Sequence, residues 1–277
     1  MARRDRTRSS STPLFGQLPE LGAVLPISTG TARVTQEQDG SVLLEVNGVP
    51  SSHLHPEPTH LVFEYMRWML LAIDLHLEQS PTPTPQLAHL GGGACALPRA
   101  VAAQHPDARQ IVVEVDSRLA EQVRDWFDLP RSPQLRIRID DALSALAAWR
   151  DDRFDVLVRD VFAGSLTPEA LLTAETAAHA ARVLREGGLY LANCAAPPGS
   201  GLMADEVASL STAFEHVAVI AEPAHLSGKR RGNCVLVAST RPLPEGIDRA
   251  LRSDAVSVRL ARPDQVEALR RAGRVRH

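Results

Sequence analysis

The stretch 87–116, LAHLGGGACALPRAVAAQHPDARQIVVEVD, decides the fold of this chain. A short apolar run, Leu87–Leu90, meets Gly91, Gly92 and Gly93. An alanine-rich helical pattern follows, and a second apolar run ends in Glu114 and Asp116. Glycines allow a sharp turn and a close backbone approach to a ligand, and the first turn of the next helix aims N–H groups at it. The spacing Gly91-x-Gly93-x-x-Ala96 fits the pattern G-x-G-x-x-G/A in a strand–turn–helix setting. An acidic side chain about 20 residues further on accepts hydrogen bonds from a ribose diol. A glycine turn alone is often only a tight connection. Joined to an acidic second strand end, it points to a bound nucleoside.

Working outward, residues 86–240 alternate strand and helix. Strands are predicted at Leu87–Leu90, Gln110–Val115, Leu135–Ile139, Phe154–Val158, Gly188–Asn193, His216–Ile220 and Cys234–Ala238. Helices are predicted at Leu97–Gln104, Ser117–Trp126, Ala142–Trp149, Pro168–Leu184 and Ala204–Ala213, the fourth punctuated by Gly187-Gly188. Continuous apolar strands with helical crossovers imply an α/β fold, a mostly parallel seven-stranded sheet covered on both faces. Ligands on such sheets sit beyond the carboxyl ends of the strands.

Ahead of this layer, Ala32–Val34 and Val42–Val46 are β-type runs separated by Asp39-Gly40 and Asn47-Gly48, both hairpin signals. A small antiparallel domain over 20–59 follows. LVFEYMRWMLLAIDLHL (61–77) reads as a largely buried helix, and PTPTP (81–85) as a stiff connector. The head MARRDRTRSSST is basic with no apolar signal region after it, which suits a flexible 1–19 start in the cytoplasm. The tail 241–277, with nine arginines against five acidic residues, reads as a loosely packed basic extension.

Composition excludes several classes. A net charge of −3 gives no reason to expect nucleic acid, and no apolar run reaches the roughly 18 residues of a membrane span. Cys95, Cys194 and Cys234 are scattered without zinc spacing and suit a reducing compartment. Lys229 is the sole lysine, so Schiff-base chemistry is disfavoured. His53, His55 and His60 cluster without acidic ligand spacing, and no metal is expected. The run Gly228–Gly232, GKRRG, reads as a solvated hairpin tip, and Trp68 and Trp126 as core.

Acidic residues recur at strand ends: Glu114 and Asp116 on the second strand of the sheet, Asp140 and Asp141 on the third, Asp160 on the fourth. Any one suits a helix N-cap, and Asp116 before SRLAEQVRDW suits it as well as it suits a ligand. The set converges on one crevice. There Glu114 fits a ribose, Asp141 an exocyclic amine such as adenine N6, and Asp160 lies nearest the reacting group as a base or a cation partner.

In this order the chain resembles the spermidine synthase family, whose catalytic domain has the class I S-adenosylmethionine methyltransferase fold. The matching pieces are DGSVLLEVNGVPSSH (39–53), Phe63-Glu64, LGGG (90–93), VEVD (113–116), DDAL (140–143), FDVLVRD (154–160) and ARVLREGGLYLAN (181–193). They lie within roughly 30–240, and the catalytic domain is expected over 60–240. The resemblance implies a donor, S-adenosylmethionine or its decarboxylated form, held by Gly91, Gly93, Glu114, Asp116, Asp140 and Asp141. It implies a small-molecule amine acceptor contacted by Glu64 and Asp160, with Asp160 as catalytic base, and a homodimer. The family's second catalytic aspartate falls on Ala163, its Tyr-x-Glu on Val62-Phe63-Glu64, its hairpin glutamine near Ser51-Ser52, and its glycine-loop aspartate on Ala94. Two ammonium groups each need an oxygen partner to be desolvated cheaply, so a diamine site is poorly furnished and a diverged acceptor is expected. Methyl transfer to another acceptor and a non-catalytic nucleoside-binding role remain alternatives on this fold.

Overall fold

The computed structural model describes residues 15–228 and 230–277; the basic head up to residue 14 and Lys229 lie outside the described residues. Strands β1 (Val24–Ile27), β2 (Gly30–Gln36), β3 (Val42–Val46) and β4 (Val49–Leu54) form an antiparallel sheet in that order. Across β2 and β3, Ala32 faces Val46 and Val34 faces Leu44, and Ala32, Val34, Val42 and Leu44 are all buried. The β3–β4 turn is Asn47-Gly48, with φ of 52° and 75°, the left-handed pair that a two-residue hairpin needs. A further hairpin, β1–β2, turns at Ser28-Thr29 without any glycine–asparagine signal. Helix α1 (Glu64–Gln79) then buries Trp68, Met69, Ala72 and Ile73 against the second sheet.

That sheet begins with β5 (Gln86–Leu90), β6 (Arg109–Glu114), β7 (Leu135–Ile139), β8 (Phe154–Arg159) and β9 (Leu184–Ala196). Between them run α2 (Ala96–Gln104), α3 (Ser117–Phe127), α4 (Ala142–Ala148) and α5 (Ala174–Val183). Next come α6 (Leu202–Leu210), β10 (His216–Ala221), α7 (Pro223–Leu226) and β11 (Gly232–Ser239), and then α8 (Ile247–Leu251), β12 (Arg259–Leu260) and α9 (Pro263–Ala272). The order across the sheet is β12-β10-β11-β9-β8-β5-β6-β7. Neighbours from β7 to β9 are parallel, and β11 inserts antiparallel between β9 and β10. This is the class I methyltransferase topology, with β12 as a two-residue eighth strand on its edge.

Neighbouring residues of each strand feed opposite cores, as period-two geometry requires. Leu87, Val156 and Val235 pack with α1, α2 and α3, while Ala88, Leu157 and Leu236 pack with α4, α5 and α6. The chain leaves β5 outward to β6 and β7, then returns to β8 on β5's other side. The carboxyl ends of β5 and β8 are therefore adjacent at the reversal point where such sheets bind ligands.

Three sequence expectations change. The helix expected over 168–184 is a 3₁₀ turn, Glu169–Leu172, followed by α5, because Thr173 caps α5 by accepting the Thr176 N–H at 3.1 Å. Gly187-Gly188 do not end a helix. They lie inside β9, where Leu184 pairs with Phe154 and Leu189 with Val156, and Gly187 at φ 77° sits in this bulge. The tail is not loose. Helix α9 packs on α6, the Arg276 guanidinium meets Asp205 at 2.9 Å, and the Arg276 carbonyl accepts the Ala174 N–H at 2.8 Å.

Candidate active site at the carboxyl edge of the parallel sheet

A cavity of about 840 Å³ opens beyond the carboxyl ends of β5, β6, β8 and β9 and is walled on its other side by the β3–β4 hairpin. Gly91, Gly93, Glu114, Asp116, Asp140, Asp141 and Asp160 all line it. The set expected from sequence is brought together, except for Glu64.

The glycine loop packs so closely that side chains are excluded. A Cβ on Gly91, whose φ is +88°, would stand 2.1 Å from the Asp160 carbonyl oxygen, and one on Gly93 would stand 2.7 Å from the Ser52 hydroxyl. Glu114 Oε2 accepts the N–H groups of both Gly92 and Gly93 at 3.0 Å, and its Oε1 accepts the Asp116 N–H at 3.0 Å. A carboxylate has about four acceptor sites. Glu114 thus uses three of these sites to shape the loop while lining the cavity where the sequence places the ribose.

Asp116 takes the capping role that its position also allows. Oδ1 accepts from Leu119 N–H at 2.8 Å and Ser28 N–H at 3.0 Å, while Oδ2 accepts from the Thr29 N–H and hydroxyl, each at 2.7 Å. Burial alone would raise its pKa, but these four donors hold the carboxyl below its ordinary value. Both oxygens are committed to the start of α3 and the β1–β2 hairpin, so the expectation of a donor contact is corrected to a structural tie. Asp140 Oδ2 pairs with Arg138 at 2.6 Å, and Asp141 Oδ1 caps α4 by accepting the Ser144 N–H at 2.8 Å.

On the other side of β5, Asp160 follows directly on β8. Its Oδ2 accepts the Tyr65 hydroxyl at 3.0 Å and its Oδ1 accepts Asn193 Nδ2 at 2.9 Å. Burial pushes the Asp160 carboxyl above the usual carboxylate range, against the opposing pull of the Asn193 and Tyr65 hydrogen bonds. Burial, then the neighbouring Asp160 charge, pushes the Tyr65 phenol well up, so it remains a neutral donor.

Glu64 is corrected. It is exposed in the first turn of α1 and lies outside the cavity wall, whereas the next residue, about 100° further round the helix, is Tyr65. The hydroxyl read as lost is therefore present, supplied one position later than Glu64. Asn193 was also missed. The signal for Asn193 was a polar residue closing the apolar run LYLA.

Arg159 faces away from the cavity and anchors its wall. Fully buried, it pairs with Glu206 of α6, donates to Thr167 Oγ1 at 3.0 Å, and so fixes the far end of the 161–168 loop. The GKRRG segment lies between the antiparallel strands β10 and β11, after the short helix α7, and its Gly228, Arg230 and Arg231 are exposed as expected; Arg231 also stands at the cavity rim, and Lys229 lies outside the described residues.

Among the described residues, no group of three or more His, Cys, Asp or Glu is arranged to hold a metal, and no helix is long and apolar enough to cross a membrane. No family model matches the chain. The curated polyamine aminopropyltransferase of Vibrio vulnificus (strain CMCP6) is 26% identical over 143 residues, 50% of this chain and 45% of that protein. The match thus spans under half of that relative's length. The Thermotoga maritima spermidine synthase structure matches with TM-score 0.62 and 18% identity over 88% of this chain and 83% of that one, which speaks to the fold alone. A probable spermidine synthase from Corynebacterium glutamicum ATCC 13032 superimposes with TM-score 0.87 and 34% identity, covering 94% of this chain and 97% of that one. With that identity across nearly the whole of both chains, this chain belongs to the spermidine synthase family.

Proposed function

We propose that the protein transfers an aminopropyl group from decarboxylated S-adenosylmethionine to an amine, with an acceptor site diverged from a diamine site. One observation carries the reading: a buried carboxylate, Asp160, is steadied by Tyr65 and Asn193 beside a glycine loop that Glu114 holds in place. The nucleoside half of the cavity spans β5 to β7. Glu114 offers its remaining acceptor site to a ribose hydroxyl, Asp141 offers Oδ2 to the adenine amine, and the apolar Val115 and Leu143 flank the base. Asp140 lies behind Asp141 as a neighbour of the adenine end, and Gly91 and Gly93 let the sulfonium end lie against the backbone.

In the reaction, the lone pair of the amine nitrogen attacks the propyl carbon next to sulfur. The new C–N bond forms as the C–S bond breaks, and the bonding pair stays on sulfur in a neutral thioether nucleoside. A nitrogen that binds as an ammonium must shed one proton before its lone pair can attack, and Asp160 accepts that proton. A carboxyl raised by burial is a stronger base than an exposed one, and Tyr65 and Asn193 hold its oxygens in line.

The division into a hairpin domain over 20–59, a catalytic domain over 60–240 and a basic extension over 241–277 belongs to this proposal. So do a cytoplasmic setting and a homodimer paired through the antiparallel sheet, whose edge exposes Leu21 and Val24. Sedimentation mass tests the dimer. The activity is tested by incubating the protein with each sulfonium donor and a panel of amines, followed by mass spectrometry. The expected product is the aminopropylated amine with the thioether nucleoside. Methylated product from S-adenosylmethionine would replace this reading with methyl transfer, and tight nucleoside binding without any product would replace it with a non-catalytic role.

A further inference from the structure

The two halves of the cavity differ sharply in charge. Strands in a sheet lie about 4.8 Å apart, so the ends of β8, β9 and β11 form a separate acceptor half beyond the glycine loop. Glu114, Asp116, Asp140 and Asp141 all belong to the β6 and β7 ends. In the acceptor half, Asp160 is the one carboxylate among the described lining residues. Its wall includes the apolar Phe63, Phe162, Ala163 and Leu171 beside the uncharged polar Tyr65, Ser165 and Asn233, with the exposed Arg231 at the rim.

Asn193 completes the picture. Its residue is 1% exposed, its Nδ2 is committed to Asp160, and its Oδ1 is buried without a partner. A buried acceptor left without a donor is costly, so this oxygen is suited to take one N–H of a ligand. Asp160 and Asn193 together can accept two N–H groups from a single nitrogen. Along β9, Ala196 stands three residues past Asn193 and pairs with Gly232, next to Arg231, about 10 Å away. A chain running from Asn193 toward that end meets no further carboxylate among the described lining residues, and the charge ahead of it is the exposed Arg231.

We infer that the acceptor is a primary amine carrying one positive charge, its nitrogen shared between Asp160 and Asn193 and its remainder uncharged against the Phe162–Ala163–Leu171 wall. This rests on the aminopropyl-transfer reading, and binding is used to separate the two. A second ammonium there would be desolvated without a counter-charge and opposed by Arg231.

The test is calorimetric titration of the full-length protein, saturated with the thioether nucleoside product, with butylamine and with butane-1,4-diamine. Butylamine should bind at least as tightly as the diamine. Binding of the diamine about tenfold tighter, or no binding of either amine, overturns the inference. Ala163→Asp and, separately, Arg231→Gln should each shift the preference toward the diamine, with Asp the larger effect. Asn193→Ala should weaken butylamine while nucleoside affinity holds. If either charge change leaves the preference unmoved in folded protein, the inference falls. Selective butylamine binding with no aminopropylated product would overturn the transfer reading and leave the binding specificity standing.

Discussion

The Tyr65 hydroxyl and the Asp160 carboxylate meet at 3.0 Å although they stand 95 residues apart, one at the start of α1 and the other just past β8. The bond joins a buried phenol that stays protonated to a buried acid whose pKa is raised. Two consequences are measurable. Asp160→Asn should lower turnover about 10²–10⁴-fold with nucleoside affinity nearly intact. As the proposed base, Asp160 would work only when deprotonated, so activity should be lost as pH falls through a value above the ordinary carboxylate range. Tyr65→Phe removes a bond that lowers the Asp160 pKa, so this acid limb should move to still higher pH. A limb that stays in place in Tyr65→Phe would mean that the phenol does not tune the acid.

Glu114 holds the glycine loop and, in the proposed site, also meets the nucleoside, and its removal should show both. Glu114→Ala should weaken adenosyl-ligand binding by about 1.5–3 kcal/mol, the span of a hydrogen bond to a charged group. It should also release the amides of Gly92 and Gly93, so hydrogen exchange across 91–95 should accelerate even without ligand. Unchanged exchange would limit Glu114 to a contact with the nucleoside.

Asp116 is predicted to matter for stability more than for binding. Asp116→Ala removes an N-cap, worth about 1 kcal/mol, and leaves the Ser28 and Thr29 donors unpaired, so a loss of about 2–3 kcal/mol in denaturant unfolding is expected. The folded pKa of Asp116 is depressed, so its contribution is present above the unfolded value of 3.8 and fades as pH falls below it. Asp116→Asn should recover part of the loss. A destabilisation below about 0.5 kcal/mol in Asp116→Ala would contradict the tie.

His89 supplies an acid-sensitive element within the sheet. Gln110 donates through Nε2 to the Pro98 carbonyl, so its Oε1 faces His89 Nε2 at 2.9 Å and the ring nitrogen is the donor. Burial lowers this imidazole to about 4 from 6.5. The unfolded chain therefore binds a proton between those values that the folded one refuses, and stability falls as pH drops from 6.5 toward 4, by about 3 kcal/mol in total. His89→Gln should flatten that part of the stability–pH curve. Parallel curves for the two proteins would remove His89 as the cause.

The glycine loop, the strand order and the convergence of Asp140, Asp141 and Asp160 were legible in the sequence because each rests on short-range pattern: apolar runs, a helix start, an acidic strand end. Helix phase was not. Whether Glu64 or Tyr65 faces the cavity depends on the rotation of α1 against the sheet, which long-range packing of Trp68, Met69 and Ile73 sets. Asp116 looked equally fit for a ligand or a cap, and the choice was made by Ser28 and Thr29, whose turn carries no signal of its own. Gly187-Gly188 misled for the opposite reason, since the same glycines that end helices also permit bulges inside strands.

The two sheets are not modules that could be separated. The antiparallel one lends Ser28 and Thr29 to Asp116, and Ser52 accepts the Ala94 N–H at 3.0 Å in the loop that opens α2. A chain trimmed of its first 59 residues would keep every strand of the larger sheet, yet α3 would start without part of its anchor and the glycine loop without one of its walls. Transplanting this glycine loop onto another scaffold would therefore require carrying the hairpins with it, and loop grafting between relatives should succeed only when both halves of that seam are exchanged together.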